Sequence, residues 1–289
     1  KPAGFSFPGV NYNDKKVNKG TGELMLMKNF PSFINEASSQ KEVRDYLKSI
    51  SKNEKVKKPQ FHSVISTKFQ GHSKEELKNV AEGFMNEMGY GTQPFIVVFH
   101  KDTDNNHVHI VSTRVDKQSG KKIDDSYERL KAQKALSNTM GKLYGQSPEA
   151  DLHKLLNYKI SSFSQLETLL HRNGYKINRN TNDENFYSIL KNGVIQRTLS
   201  GNQIVFDNSK SDSRARQIKA ILNKYKELYS NKVFKVEDNR RSQSMLPQEK
   251  IADRENLSKS KIEFESELQK KLKDVFGIDM VFHHKEDKN

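Results

Sequence analysis

The chain has 289 residues, enough for one large domain or two smaller ones, and its 50 Lys and Arg against 36 Asp and Glu give a formal net charge of +14. Such an excess of positive charge is typical of proteins that bind nucleic acid. The absence of cysteine excludes disulfides, thiolate metal sites and cysteine nucleophiles, so any metal must be held by histidine or carboxylate side chains.

Neither a membrane anchor nor an export signal is indicated by the sequence. No apolar run approaches the roughly 20 residues that span a bilayer, and the start, KPAGFSFPGV, lacks the hydrophobic stretch of a secretory signal. We therefore expect a cytoplasmic protein without membrane insertion. Because the chain begins with Lys1 and not with Met, its start is compatible with processing or with a missing short first strand.

The first half of the chain is predicted to alternate strands and helices after an initial loop. The expected elements are a short helix or strand over residues 24–30, a strand over 61–67, a helix from the capping box of Ser73 and Glu76 to Gly89, strands over 94–100 and 107–115, and a helix that is capped by Asp125 or Ser126 and ends at Gly145. The strands on either side of the polar segment KDTDNN are expected to be antiparallel neighbours.

The second half is predicted to form a separate, smaller α/β region. The expected elements are a helix over residues 163–172, the strand YKI after Gly174, a hairpin over 186–199 with a type I′ turn at Asn192 and Gly193, a basic helix over 213–229, a polar linker, and a final helix followed by Gly277 and the strand IDMVF. The predicted domains are 1–150, an accessory region at 151–230 that could bind DNA, a linker at 231–257 and a helix–strand unit at 258–289.

Three of the nine histidines lie within ten residues, in the segment HKDTDNNHVHI. If Val108 and Ile110 point into a core, strand alternation places His107 and His109 together on the opposite face. His100 ends the preceding strand, and the polar turn can bring its imidazole beside the other two. Three neutral imidazoles with open coordination positions are typical of a catalytic metal site, and by ligand type alone they suit Zn or other transition metals better than Mg. The alternative is a surface hairpin whose histidines bind no metal.

Asp102 follows His100 by two residues, within the same turn. A carboxylate in this position can accept the second ring N–H of a ligating histidine and so fix its tautomer. The alternative is ordinary turn chemistry, in which Asp is common.

Several segments resemble the motifs of HUH endonucleases, and of plasmid mobilisation relaxases of the MobA/VirD2-like type in particular. HKDTDNNHVHI resembles the metal-site signature, FPGVNYNDKKV the segment that bears the nucleophilic tyrosine, FHSVIST the middle motif, and GYGTQPFIVVFH through KKIDDSYERLKA the run around the metal site. The resemblance covers roughly residues 5–145. The units ending in GIDMVFHHK are similar to C-terminal portions of Bacteroides-type mobilisation proteins.

The resemblance implies an α+β fold with an HUH-type antiparallel sheet and flanking helices, followed by a smaller C-terminal α/β region. It implies a relaxase that nicks one strand at an origin of transfer by metal-dependent transesterification. A tyrosine attacks the phosphodiester, keeps the 5′ phosphate covalently and can rejoin the strand. The implied cofactor is Mg²⁺ or Mn²⁺. The implied partners are single-stranded DNA, an adjacent hairpin or duplex, and accessory mobilisation proteins.

Two tyrosines compete for the role of nucleophile. Tyr12 lies upstream of the histidines, as in relaxases, and is followed by Lys15 and Lys16. Tyr127 lies downstream, and Lys131 one turn later gives it the Tyr-x-x-x-Lys pattern of rolling-circle replication initiators. Tyr127 also falls opposite the apolar stripe of its predicted helix. We expect Tyr12 to be the nucleophile.

Ser66 resembles the relaxase serine that helps to hold DNA next to the nick, and His62 lies on the same face of the same strand. The alternative for both is simple polarity on a solvated strand. Asp102 and His100 are candidates for activating the tyrosine, although His100 cannot freely be both ligand and base. The functions that compete with a relaxase are a replication initiator that uses Tyr127, a metal hydrolase of another kind, and a non-catalytic DNA-binding module.

Overall fold

The computed structural model describes residues 7–67, 70–146, 148–181, 183–209, 211–238, 261–280 and 282. The chain forms two compact units, Lys1–Asn208 and Ser209–Asn289. Among the described residues, no helix combines the length and the apolar character that crossing a membrane requires.

A four-stranded antiparallel sheet with the order β1-β3-β4-β2 forms the centre of the first unit. Its strands are β1 (Gly22–Lys28), β2 (Gln60–Ser66), β3 (Phe95–His100) and β4 (His107–Thr113). The strands predicted over 61–67, 94–100 and 107–115 are confirmed, with ends that differ by one or two residues. The antiparallel pairing of β3 and β4 is confirmed as well, and it places His100 opposite His107.

Helices cover both faces of this sheet. The four helices are α1 (Pro8–Asn18), α2 (Gln40–Ile50), α3 (Lys74–Glu87) and α4 (Glu128–Tyr144). On one face, apolar residues of α1 and α2 form a core with the sheet residues Ile96, Val98 and Val111. On the other face, α3 and α4 pack against the alternate residues of the same strands, including Val108 and Ile110. The α+β class and the antiparallel sheet with flanking helices are therefore confirmed.

Two helices of this layer were not predicted from the sequence. Helix α1 occupies a segment expected to be loop; Pro8 in its first turn favours a helix start, but only Gly9, Val10 and Asn13 within it are buried, too few for a clear helical stripe. Helix α2 begins at Ser39, whose side chain forms a capping box with Glu42. That signal is present in the sequence and could have identified α2.

The first unit continues with a second, smaller sheet. Helices α5 (Pro148–Leu156) and α6 (Phe163–Arg172) precede a three-stranded antiparallel sheet of β5 (Tyr175–Arg179), β6 (Phe186–Lys191) and β7 (Val194–Ser200). The predicted hairpin is confirmed, and both of its turn residues, Asn192 and Gly193, have the positive φ that a type I′ turn requires.

The second unit contains α7 (Asp212–Leu228), β8 (Phe234–Asp238), β9 (Lys261–Glu265) and α8 (Glu267–Phe276), and β8 pairs with β9. Strand β8 lies inside the segment expected to be a linker; residues 239–257 are outside the described part. The strand IDMVF predicted after Gly277 is wrong for residues 278–280 and 282, while residues 281 and 283–289 are not described. The carbonyl of Met280 accepts a hydrogen bond from the Gln269 side chain at 3.0 Å. The two strands of this unit that pair, β8 and β9, both precede α8.

Candidate active site

Three buried histidines meet where β3 ends and β4 begins. Each of His100, His107 and His109 offers one ring nitrogen, and these three atoms lie within 4.8 Å of one another. None of the three residues is more than 1% exposed. The sequence predicted that the histidines come together, and the structure does bring them together.

Strand alternation determines which face of the sheet carries the cluster. Val108 and Ile110 point towards α3 and α4, as expected. His107 and His109 therefore face the opposite side, where α1 and α2 pack. The sequence did not predict this cover, because α1 was expected to be loop. The histidines lie beneath a helix and not on an open surface.

Hydrogen bonds to neighbouring groups orient the first two rings. His100 Nε2 donates to Asn13 Oδ1 at 2.8 Å, across from β3 to α1. His107 Nδ1 donates to the carbonyl oxygen of Asn105 at 2.9 Å. Each bond uses one ring nitrogen and leaves the other, His100 Nδ1 and His107 Nε2, as the nitrogen that carries the lone pair.

The third ring, that of His109, is also oriented through one ring nitrogen, and its partner is another histidine. Its Nδ1 lies 3.0 Å from Nε2 of His62 on β2. His109 Nε2 and His100 Nδ1 are buried and have no hydrogen-bond partner among the described residues. Buried polar atoms nearly always have a partner, so two orphaned imidazole nitrogens in one cluster indicate a missing ligand.

Burial keeps these imidazoles neutral. It lowers the pKa of His100 to about 3, assisted by the proximity of His107. It also lowers the pKa of His107, and it lowers the pKa of His109 well below the ordinary value, with His100 adding to the effect. A neutral imidazole is the form that binds a metal. The three residues therefore fit a divalent metal in nitrogen type, protonation state and orientation.

Helix α1 brings Tyr12 over this cluster because it packs very closely on the sheet. A Cβ added to Gly9 would lie 3.1 Å from Cγ2 of Val111, closer than an ordinary van der Waals contact, so a side chain there would require Val111 or the helix to shift slightly. The Gly9 amide donates to Oε1 of Gln60 at 3.0 Å, which ties the first turn to β2. One turn later, the Tyr12 ring centroid lies 5.5 Å from the ring centroids of both His100 and His109.

Lys16 lies one turn after Tyr12 and places a positive charge between the phenol and Asp102. Its Nζ is 5.6 Å from the Tyr12 ring centroid and contacts the carboxylate of Asp102. Burial raises the pKa of Tyr12 above its ordinary value, and the positive charge of Lys16 opposes that rise. Burial alone would raise the pKa of Asp102, but the hydrogen bond from Lys16 brings it below the ordinary value. Lys16 and Asp102 are thus a charged pair beside a half-buried phenol.

The position of Asp102 differs from the role expected for it. We expected its carboxylate to accept the second ring N–H of a histidine, yet the acceptor for His100 is Asn13. Asp102 lies beyond the end of β3 and contacts Lys16. The difference arises because α1 covers the histidines and places its own amide against the ring. Asn13 gave no signal of this role in the sequence, apart from its position next to Tyr12.

Tyr127 lies away from the histidines. It is 80% exposed and caps the start of α4 with a left-handed backbone. The next residue, Glu128, accepts a hydrogen bond from Arg114 Nη2 at 2.6 Å. Arg114 follows the far end of β4, five residues after His109, which is about 17 Å of extended chain. The structure therefore brings Tyr12 to the cluster and leaves Tyr127 at the other end of the sheet.

Ser66 ends β2 directly opposite His107 of β4 and is half-buried. Opposite residues in an antiparallel pair project to the same face, so Ser66 lies at the edge of the histidine face. His62 is on that face too, as strand alternation predicted, but its contact with His109 could not be expected without the register of β2 and β4.

Comparison with known protein families relates the first half of the chain to a group of nucleases. The model of the family described as "Relaxase: MobA/VirD2-like, nuclease domain" matches residues 12–145. No curated protein and no solved structure matches the chain. The matched segment starts at Tyr12, contains all three clustered histidines and ends at Gly145, just after α4.

Proposed function

Because residues 12–145 belong to the MobA/VirD2-like relaxase nuclease family of the HUH superfamily, a family of DNA-nicking enzymes, we propose that this chain cuts one DNA strand at an origin of transfer and holds it on Tyr12. The observation that carries the proposal is the position of Tyr12, 5.5 Å from two of the three clustered histidines by ring centroids. Tyr127 is 80% exposed and lies away from the histidines, so the replication-initiator alternative is not favoured.

His100, His107 and His109 would hold the divalent metal, which the family resemblance suggests is Mg²⁺ or Mn²⁺. When bound, such an ion polarises the scissile phosphate and offsets the charge that develops on it. The orphaned nitrogens of His100 and His109 are the observation of this structure that supports a ligand there.

Tyr12 is the proposed nucleophile. Its oxygen forms a bond to phosphorus while the bond between phosphorus and the 3′ oxygen breaks, and the 3′ oxygen leaves as a hydroxyl. The phenol is a weak nucleophile because its pKa is above the ordinary value. Lys16 supplies a positive charge that favours the phenolate. Attack by the 3′ hydroxyl on the phosphotyrosine rejoins the strand, and since the bond energy is retained, no nucleotide cofactor is needed.

Asp102 and Ser66 are proposed to assist without touching the bond that breaks. Asp102 contacts Lys16 and would keep its ammonium group beside Tyr12. Ser66 lies opposite His107 at the edge of the sheet, where its hydroxyl could bind DNA next to the nick.

The remaining parts of the proposal concern the rest of the chain. The net charge of +14 suits a polyanionic partner, and we propose that the region at 151–230 grips a hairpin or duplex beside the single-stranded site. Mobilisation of a plasmid or integrated element, accessory proteins and the Bacteroides-type subtype follow from the resemblance and stay predictions. A cytoplasmic location, expected from the lack of an apolar span and of an export signal in the sequence, stays a prediction as well.

A covalent-capture experiment tests the proposed function without knowledge of the nick site. The protein is incubated with a randomised single-stranded DNA pool labelled at its 3′ end, with Mn²⁺, Mg²⁺ or EDTA, and then run on a denaturing gel. We expect a labelled protein band with metal, none with EDTA, and none for Tyr12→Phe, while Tyr127→Phe retains it. Cleavage without a labelled protein would instead indicate a metal hydrolase, and binding without cleavage a DNA-binding module.

A further inference from the structure

His62 on β2 and His109 on β4 form a direct pair of imidazoles. His62 Nε2 lies 3.0 Å from His109 Nδ1, and the two ring centroids are 5.2 Å apart with 25° between the ring planes. In the register of the two strands, Val64 lies opposite His109, and His62 lies opposite Val111. The two histidines are therefore diagonal neighbours on the face that carries the cluster, a separation that imidazole side chains can bridge.

The single proton between these rings belongs to one of them, and the burial of His109 decides which. A neutral imidazole has one N–H and one lone pair. If the proton of His109 were on Nε2, a buried N–H would have no acceptor among the described residues. A buried N–H and a buried lone pair are both unfavourable without a partner, but only a lone pair on Nε2 can be satisfied by a metal ion. The proton of His109 is therefore on Nδ1, which donates to His62 Nε2.

We propose that His62 is a positioning residue of the metal site: it accepts the Nδ1–H of His109 and so holds the Nε2 lone pair of His109 towards His100 and His107. The inference rests on the proposed function only in taking the ligand of this cluster to be a divalent metal. His62 acts through His109 and is not itself one of the three residues whose donor atoms converge.

The chemistry of the acceptor fits a site that must also receive a phosphodiester. A carboxylate in this position would orient the ring equally well, but it would place a negative charge beside the incoming phosphate. An imidazole fixes the tautomer without adding that charge. The groups that accept hydrogen bonds from the other two rings are neutral as well: the side-chain oxygen of Asn13 accepts from His100, and the carbonyl oxygen of Asn105 accepts from His107. All three rings are thus oriented by uncharged groups.

The first test measures Mn²⁺ affinity by calorimetry on the full chain without DNA. His62→Phe keeps a ring of similar size and removes the acceptor, and we expect it to weaken Mn²⁺ binding by about 10- to 100-fold. His62→Gln restores an acceptor oxygen at a similar reach, and we expect its affinity to stay within about 3-fold of the wild type. His153→Phe, on an exposed histidine of α5, is the matched control and should leave the affinity unchanged.

The second test needs no metal and reads the tautomer directly. Long-range ¹⁵N–¹H correlation spectra of the metal-free protein report which nitrogen of His109 carries the proton. We expect Nδ1–H in the wild type and in His62→Gln, and loss of that preference in His62→Phe. The wild-type spectrum alone decides the question if His62→Phe does not fold, which circular dichroism would show.

Two results would overturn the inference: a wild-type His109 protonated on Nε2, or a folded His62→Phe variant that binds Mn²⁺ as tightly as the wild type. Neither measurement involves DNA, so the outcomes separate cleanly. Should the wild type bind Mn²⁺ with the expected tautomer and yet form no covalent DNA adduct, the proposed function fails and the role of His62 stands. Should the adduct form while His62→Phe binds Mn²⁺ as tightly as the wild type, the proposed role of His62 fails and the proposed function stands.

Discussion

Tyr12 and His109 are brought together by the close packing of helix α1 on the central sheet, and their ring centroids lie 5.5 Å apart. The contact depends on Gly9, because a Cβ there would meet Val111 at 3.1 Å. It depends also on strand alternation, which turns His109 towards α1. The helix thus supplies both the proposed nucleophile and, through Asn13, the orientation of His100.

Asn13 should matter more than Asp102 for metal affinity. Asn13→Leu removes the acceptor for His100 Nε2 at similar volume, so we expect Mn²⁺ binding to weaken by about 10- to 100-fold. Asn13→Asp restores an acceptor and should recover the affinity. Asp102→Asn, in which no histidine loses its acceptor, should change it less than Asn13→Leu. Calorimetry on the three variants checks this order, and an equal or larger loss for Asp102→Asn would contradict it.

Lys16 should speed adduct formation and should not strengthen the binding of metal. Lys16→Met removes the charge beside Tyr12 and Asp102, and we expect adduct formation to slow by about 100-fold. Mn²⁺ affinity should be unchanged or higher, since the Asp102 carboxylate loses its partner. Lys15→Met, on the exposed neighbouring residue, is the control. Rapid-quench measurement of the adduct gives the rate, and a loss confined to Mn²⁺ affinity would refute the assigned role.

Asp116 should make the stability of the chain dependent on acid pH. Hydrogen bonds from Ser119 lower its pKa below the ordinary 3.8, and Gln93 Nε2 donates to it at 2.6 Å. A carboxyl whose folded pKa is lowered contributes stability that is complete above its unfolded pKa and is lost as the pH falls through the folded pKa. Asp116→Asn should therefore cost about 1–2 kcal/mol at pH 7, and progressively less below pH 4.

Urea unfolding of the wild type and Asp116→Asn at several pH values between 2 and 7 measures this difference. A stability difference that stays constant down to pH 2 would show that the charge of Asp116 contributes nothing.

Two glycines in the α3 and α4 layer should respond in opposite directions. A Cβ on Gly83 would lie 2.7 Å from Cγ2 of the buried Thr139, so Gly83→Ala should destabilise the fold by about 1–3 kcal/mol. A Cβ on Gly141 of α4 would meet the Gln146 carbonyl oxygen at an ordinary 3.4 Å. Gly141→Ala should stabilise by about 0.5–1 kcal/mol, because alanine favours the helix. Thermal unfolding of both variants checks the signs, and destabilisation by Gly141→Ala would contradict the packing described.

The parts of the fold that could be predicted from the sequence are those whose signals are local. The capping box of Ser73 and Glu76 and the apolar stripe after it predicted α3. Asn192 and Gly193, which favour positive φ, predicted the turn of the β6–β7 hairpin. Helix α1 could not be predicted, since its stability comes from packing on the sheet and not from its own periodicity.

The candidate site divides in the same way. The spacing of His100, His107 and His109 was enough to predict their cluster. Strand alternation places His107 and His109 on the same face of β4, and the short turn returns the chain so that His100 lies opposite His107. The partners of these rings could not be predicted. Asn13 reaches His100 only after α1 docks, and His62 reaches His109 only in the observed register of β2 and β4. Those contacts join segments that are far apart in sequence.

The most direct test of the account is to identify the residue that carries the DNA. The covalent adduct is digested with nuclease and trypsin, and the peptides are sequenced by mass spectrometry. We predict a nucleotide 5′ phosphate on the peptide that contains Tyr12, attached to the tyrosine oxygen. A modified Tyr127, or a nicked product with no modified peptide, would contradict the account.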